Sequence, residues 1–148
     1  MSHYILRFIP EDIYFSLNHS ELSKIENLNW DGNNPSFIFS ERMLFADAGR
    51  NFESVKCPNC NSNLAKWWGT AMDSAFSEEY GFVDIEINTP CCNYEVSLHE
   101  LNYYFPQGFY RIMIEVVQMT GSRIMSEEIV RNLFSITGVS WRAIHACY

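Results

Sequence analysis

The chain has 148 residues, 47% of them hydrophobic and 19% charged, a composition that excludes an intrinsically disordered polymer and fits one domain with a sizeable core. Its net charge of −8 excludes a general binder of phosphate backbones, which needs clustered Lys and Arg. Aromatic residues reach 16%, so large side chains must fill the core, face outward, or both.

The N-terminal run Tyr4 to Ile9 is rich in strand formers, and Pro10 stops it. It is too short and too soon charged, at Arg7, for a secretory signal. Leu22, Ile25 and Leu28 then recur at helical spacing, with Asn18 and Glu21 placed to form a capping box. After the turn-rich Asp31-Gly32-Asn33-Asn34-Pro35, Ser36 to Phe45 predicts one extended stretch with a break near Glu41 and Arg42.

The next clear element is a helix. Leu64, Trp67, Trp68, Ala71, Met72, Ala75 and Phe76 form one apolar stripe, with Asn61 or Ser62 as cap and Gly81 just past the end. Trp67 and Trp68 lie on that stripe, which favours core packing over an exposed stacking platform. Phe82 to Ile87 and Tyr94 to Leu98 predict two short strands around Pro90-Cys91-Cys92-Asn93. The aromatic run Tyr103 to Tyr110, turned by Pro106 and Gly108, suits either a partner surface or a cover over this region.

From Tyr110 to Val116 apolar residues alternate with Arg111, Met113 and Glu115, a half-buried strand pattern. Ser126 is placed as a helix cap, Glu127 and Glu128 occupy the first turn, and Gly138 supplies the stop. Val139 to Cys147 closes the chain as a strand, on which His145 reads as an ordinary core or surface histidine. His3 and His19 stand at no informative spacing.

Each end of the chain thus predicts strand–helix–strand. Two such units pair as an α+β, ferredoxin-like (split βαβ) antiparallel sheet. Residues 1–148 form a single domain on this reading, with residues 50–106 inserted as a zinc-ribbon-like module.

The chemistry-bearing residues fall in that insertion. Cys57-Pro58-Asn59-Cys60 is a C-x-x-C turn, and Cys91-Cys92 follows at a second predicted turn. Four thiolates from two turns suit one structural Zn2+, since soft sulfur selects zinc over magnesium or calcium. Adjacent cysteines in a regular strand would point to opposite faces. If the chain does not bend there, Cys92 is the third ligand and His99 the alternative fourth. Metal-free buried cysteines, a redox dithiol and an iron–sulfur cluster are the competing readings. The odd count of five cysteines fits the cytoplasm, where thiols stay reduced.

No H-E-x-x-H, G-x-S-x-G or Gly-rich phosphate loop is present, and no stretch nears the ~18 apolar residues of a membrane span. Between positions 50 and 105 three cations face eight carboxylates, so a basic protein is the expected partner, not nucleic acid and not a membrane. The expectation is a non-catalytic, zinc-stabilised interaction protein, an acidic adaptor or immunity-type binder. A zinc hydrolase or thiol oxidoreductase using the cysteines is the rival.

Asn51-Phe52-Glu53-Ser54-Val55 leading into Cys57-Pro58-Asn59-Cys60, then Trp67-Trp68, Met72-Asp73, Pro90-Cys91-Cys92 and Pro106-x-Gly108-Phe109, resembles a group of uncharacterised small bacterial proteins. The resemblance runs from about residue 47 to the C-terminus and implies a bacterial, cytoplasmic protein without assigning an activity. A transporter-ATPase label attached to some of that group finds no support, because G-x-x-x-x-G-K-S/T is missing. Asn61 and Asn93 stand where the similar proteins favour Gly, and Asn tolerates the left-handed backbone such turns need.

Overall fold

The computed structural model describes residues 4–118 and 124–148; His3, among the sequence features above, lies outside them. The class is mixed α+β, with three α-helices among the described residues and a mostly antiparallel sheet. Four long strands form its centre: β1 (Tyr4–Pro10), β2 (Ser36–Ala46), β9 (Gly108–Val117) and β10 (Trp141–Cys147). Their spatial order is β10-β1-β9-β2, each pair antiparallel.

Helix α1 (His19–Glu26) connects β1 to β2, and α3 (Ser126–Thr137) connects β9 to β10. The capping box forms as expected: Glu21 N–H donates to Asn18 Oδ1 at 2.8 Å, and Asn18 N–H donates to Glu21 Oε1 at 3.0 Å. Gly138 ends α3 in the left-handed conformation, φ 78°. Ser126 is not the cap. Met125 holds that position, and Ser126, one residue inside, places its hydroxyl 3.2 Å from His145 Nε2.

The two helices cover one sheet face. Leu6, Phe8, Ile112, Ile114, Val116 and Trp141 from the strands meet Ile25 of α1 and Ile129 and Leu133 of α3. Complete burial of such side chains stabilises by about 1.5–3 kcal/mol each. Ile9, Met113 and Ile144 point the other way, into a smaller cluster with Ala46, Ala48 and Tyr110. Strand β9 is therefore not half-buried: Met113, expected outward, is 4% exposed because the sheet is covered on both sides.

Between β2 and β9 lie six short strands and α2 (Ala65–Ala75). β3 (Ser54–Lys56) pairs with β8 (Asn102–Tyr104), and β6 (Glu86–Asn88) pairs with β7 (Glu95–Ser97). β4 (Phe76–Ser77) and β5 (Gly81–Phe82) instead extend the large sheet, β5 lying parallel to β2 at Met43. Phe76 is both the C-cap of α2 and the first residue of β4, and Gly81 opens β5. Leu64 is the N-cap of α2 and supplies no side-chain cap. Asn63 Oδ1 accepts from Ala65 N–H at 2.8 Å, so neither Asn61 nor Ser62 caps it.

The anticipated break in β2 is real. Its register with β9 jumps from Phe39↔Ile112 to Leu44↔Tyr110, so four residues bulge opposite Arg111, whose guanidinium donates to Glu41 O at 2.8 Å. A second core joins Ile13, Met43 and Phe109 to Val55, Cys57, Leu64, Met72, Ile85 and Leu98. Residues 50–106 are therefore packed onto the sheet through shared apolar contacts.

Candidate metal centre

The first cysteine turn follows β3. Cys57 N–H donates to Ser62 O and Asn61 N–H to Cys57 O, both at 2.9 Å, folding the chain back so that Lys56 bridges Asn63. Asn61 sits at φ 63°, the left-handed conformation that Asn accepts at little cost. Cys57 is fully buried in the second core, and Cys60 is exposed.

The second turn caps the β6–β7 hairpin. Thr89 N–H donates to Tyr94 O and Asn93 N–H to Thr89 O, each at 2.9 Å, while Asn93 takes φ 56°. Cys91 and Cys92 therefore lie in a turn, where strand alternation does not apply. Their sulfurs are 3.9 Å apart, and both face the first turn.

All four Sγ atoms lie within 4.8 Å of one another. Cys57 is 3.7 Å from Cys92, and Cys60 is 3.3 Å from Cys91. A disulfide requires about 2.05 Å, so the four are free thiols. Metal–sulfur bonds of about 2.3 Å in a tetrahedron place sulfurs roughly 3.8 Å apart. The pairs at 3.7 and 3.9 Å meet that spacing, and the 3.3 Å pair falls short of it by about half an ångström. The cluster could hold a metal ion.

Polar neighbours orient the sulfurs. Asn59 Nδ2 donates to Cys92 Sγ at 3.5 Å, Thr89 Oγ1 lies 3.4 Å from the same atom, and the Cys60 thiol donates to Ser62 Oγ at 3.1 Å. The Asn59 and Thr89 contacts push the Cys92 thiol down to about 6. Desolvation raises the Cys91 thiol to about 11, assisted by its hydrogen bonds to Cys60, Cys57 and Cys92. Desolvation also acts upward on Cys57, but backbone N–H groups of Cys60 and Asn59 outweigh it and lower the thiol. Without a cation, four sulfurs this close cannot all ionise; with one, they can. The sequence offers Ser62 only as a helix cap and gives Asn59 and Thr89 no role of their own, because polar residues beside a cysteine carry no distinctive spacing.

His99 is not part of the cluster. It is 2% exposed, and both ring nitrogens are engaged elsewhere: Nδ1 accepts from Phe109 N–H at 2.9 Å, and Nε2 lies 3.0 Å from Glu11 O. The carbonyl only accepts, so Nε2 carries the proton. Burial, and then the nearby Arg142 charge, push this histidine down to about 4. Cys91, not the alternative His99, is the fourth member of the cluster.

The other singled-out residues disperse. Trp68 stacks on Phe52 at 5.4 Å and meets Phe45 and Tyr103 edge-on or tilted, so it packs as the stripe implied. Tyr103 faces that core, whereas Tyr104 is exposed. His145 is exposed beside Ser126. No helix among the described residues is long and apolar enough to cross a membrane.

Fold and site together define an α+β chain whose segment between β2 and β9 brings two cysteine turns into one four-sulfur cluster. No family model matches the sequence, and neither the curated proteins nor the solved structures yield a match.

Proposed function

We propose that the chain is a non-catalytic interaction protein stabilised by one structural Zn2+ held by Cys57, Cys60, Cys91 and Cys92. The observation that carries this reading is the mutual approach of four sulfurs from turns more than thirty residues apart in sequence. Four thiolates would fill a tetrahedral ion and leave no open position for substrate or water. A bound ion would tie the end of β3 to the β6–β7 hairpin, supporting a segment whose strands are only two or three residues long.

The strand order β10-β1-β9-β2, with α1 and α3 as the two crossovers, supports a ferredoxin-like reading of the central sheet. The two cysteine turns support a ribbon-like reading of the insertion. Resemblance to the small bacterial group supports a bacterial, cytoplasmic protein. The partner in this reading is a basic protein, an assignment supported by the net charge of −8.

Metal analysis of the purified chain, with thiol counting before and after chelation, tests the reading. One zinc per chain, no fast-reacting thiols, and loss of structure on chelation are the expected results. A metal-free chain that stays folded would overturn it. Chelation that leaves the fold intact but frees rapidly reacting thiols would favour a thiol oxidoreductase.

A further inference from the structure

The β3–β8 pair has two unlike faces. Register sets Ser54 opposite Tyr104, Val55 opposite Tyr103 and Lys56 opposite Asn102. Val55 and Tyr103 turn into the second core. Alternation sends Ser54, Lys56, Asn102 and Tyr104 to the other face, which presents a hydroxyl, an ammonium, an amide and a phenol side by side. That face lines an open cleft of about 580 Å3 together with Leu101, Tyr103, Pro106, Gln107 and Arg142.

The cleft's charge runs against the rest of the molecule. In a chain of net charge −8, no Asp or Glu among the described residues lines it. Arg142 is matched by Glu11, but Lys56 has no carboxylate within ion-pair distance among the described residues. Gln107 Oε1 accepts from Ala48 N–H at 2.8 Å, which fixes the amide orientation and leaves Nε2 without an acceptor. The walls are therefore rich in donors and short of acceptors. Tyr104, 59% exposed, adds an aromatic surface at the rim. The volume falls in the range of about 300–1,000 Å3 typical of small-molecule sites.

We infer that this cleft binds a small ligand carrying an oxyanion, a phosphate monoester or a carboxylate, with Lys56 as its charge partner. Ser54 and Asn102 donate to the same group, and Tyr104 receives an attached ring. None of the four cysteines lines the cleft, although Lys56 directly precedes Cys57.

The test is an NMR titration of the full-length chain, as purified, with inorganic phosphate, phenyl phosphate and benzoate. Saturable backbone shifts centred on Ser54, Lys56 and Asn102 are expected. Saturation by the two phosphates but not benzoate assigns a phosphate monoester, and the reverse assigns a carboxylate. K56E and the uncharged K56M should each weaken binding by about tenfold or more, the loss of one close charge partner. K66E, on the exposed side of α2, should leave it unchanged. Y104A should weaken the ring-bearing probe and spare inorganic phosphate. Absence of saturation by all three probes, or binding that survives both Lys56 substitutions in folded protein, overturns the inference.

Discussion

Arg142 grips Glu11 through two parallel hydrogen bonds, Nε to Oε1 at 3.0 Å and Nη2 to Oε2 at 2.6 Å. Its remaining nitrogen, Nη1, donates to the carbonyls of His99 and Gln107 at 3.1 and 2.6 Å. One side chain on β10 thereby fastens the chain around His99 and Gln107 to the segment that leaves β1. The charge pair is partly solvated, Glu11 being 39% exposed, so its Coulomb attraction is modest. The two carbonyls matter more, since removing the guanidinium strands both of them.

Arg142→Met should therefore destabilise the chain by about 2–4 kcal/mol in urea unfolding. Glu11→Gln keeps an acceptor for the guanidinium and should cost only about 1 kcal/mol. Equal losses in the two variants would show that the charge pair, not the carbonyl contacts, carries the effect.

His99 predicts a pH dependence. Its folded value of about 4 lies below the ordinary 6.5, so the unfolded chain takes up the proton first on acidification. The groups facing it are Phe109 N–H, the Glu11 carbonyl and carboxylate, and Arg142. Stability is fully present above pH 6.5 and falls as pH drops through 4, by roughly 2–3 kcal/mol over that window. Urea unfolding of wild type and His99→Gln across this range checks it. Acid sensitivity of the cysteine cluster is common to both, so the variant should show the shallower slope; identical slopes refute the assignment.

Much of the two ends was legible because their signals are local. Asn18 with Glu21, the alternation from Tyr110 to Val116, and Gly138 each act within a few residues and need no tertiary information. The cysteine turns were legible for the same reason, Asn61 and Asn93 being among the few residues that accept a positive φ. What escaped was long-range. Glu11 and Arg142 are 131 residues apart, and nothing in either neighbourhood marks the other. The parallel pairing of β5 with β2 is set by packing in the second core, not by the pattern of either strand. His99 carried a metal-ligand reading because histidines near cysteines often do. Its engagement by Phe109 and Glu11 comes from segments that only the fold brings near.

The four cysteines should not be equivalent. Cys57 is buried in the second core, whereas Cys60, Cys91 and Cys92 are exposed. On the zinc reading, Cys91→Ser and Cys57→Ser both weaken the metal, but only Cys57→Ser also sets a hydroxyl among apolar side chains. Thermal melts should therefore rank wild type above Cys91→Ser and Cys91→Ser above Cys57→Ser. If Cys91→Ser melts like wild type before chelation, Cys91 is not a ligand.

Gly108 makes a steric prediction. A Cβ there would come within 2.6 Å of Arg142 Nη1 and 2.8 Å of His99 Cε1, side chains already held by hydrogen bonds to their neighbours. Gly108→Ala must displace one of them, at about 1–3 kcal/mol. Because both are held by Glu11, the Gly108→Ala and Arg142→Met losses should be clearly sub-additive in a double-mutant cycle. Simple additivity would mean that the glycine matters for another reason.

The last prediction separates packing from recognition at the tryptophan pair. Trp68 Nε1–H donates to Tyr103 Oη at 3.1 Å, and that hydroxyl donates onward to Leu98 O at 2.7 Å. Burial pushes the Tyr103 phenol well above its usual value, so it stays protonated and able to donate. Tyr103→Phe would leave one donor and one acceptor unpaired at the edge of the second core, costing about 1–3 kcal/mol. Trp68→Phe removes the donor and some stacking on Phe52, and the two substitutions should couple by about 0.5–1.5 kcal/mol because they share one hydrogen bond. A tryptophan kept for an external ligand would show neither the stability loss nor the coupling. Unfolding curves of the two single variants and the double variant decide it, since a recognition role predicts that Trp68→Phe leaves the midpoint unchanged in either background.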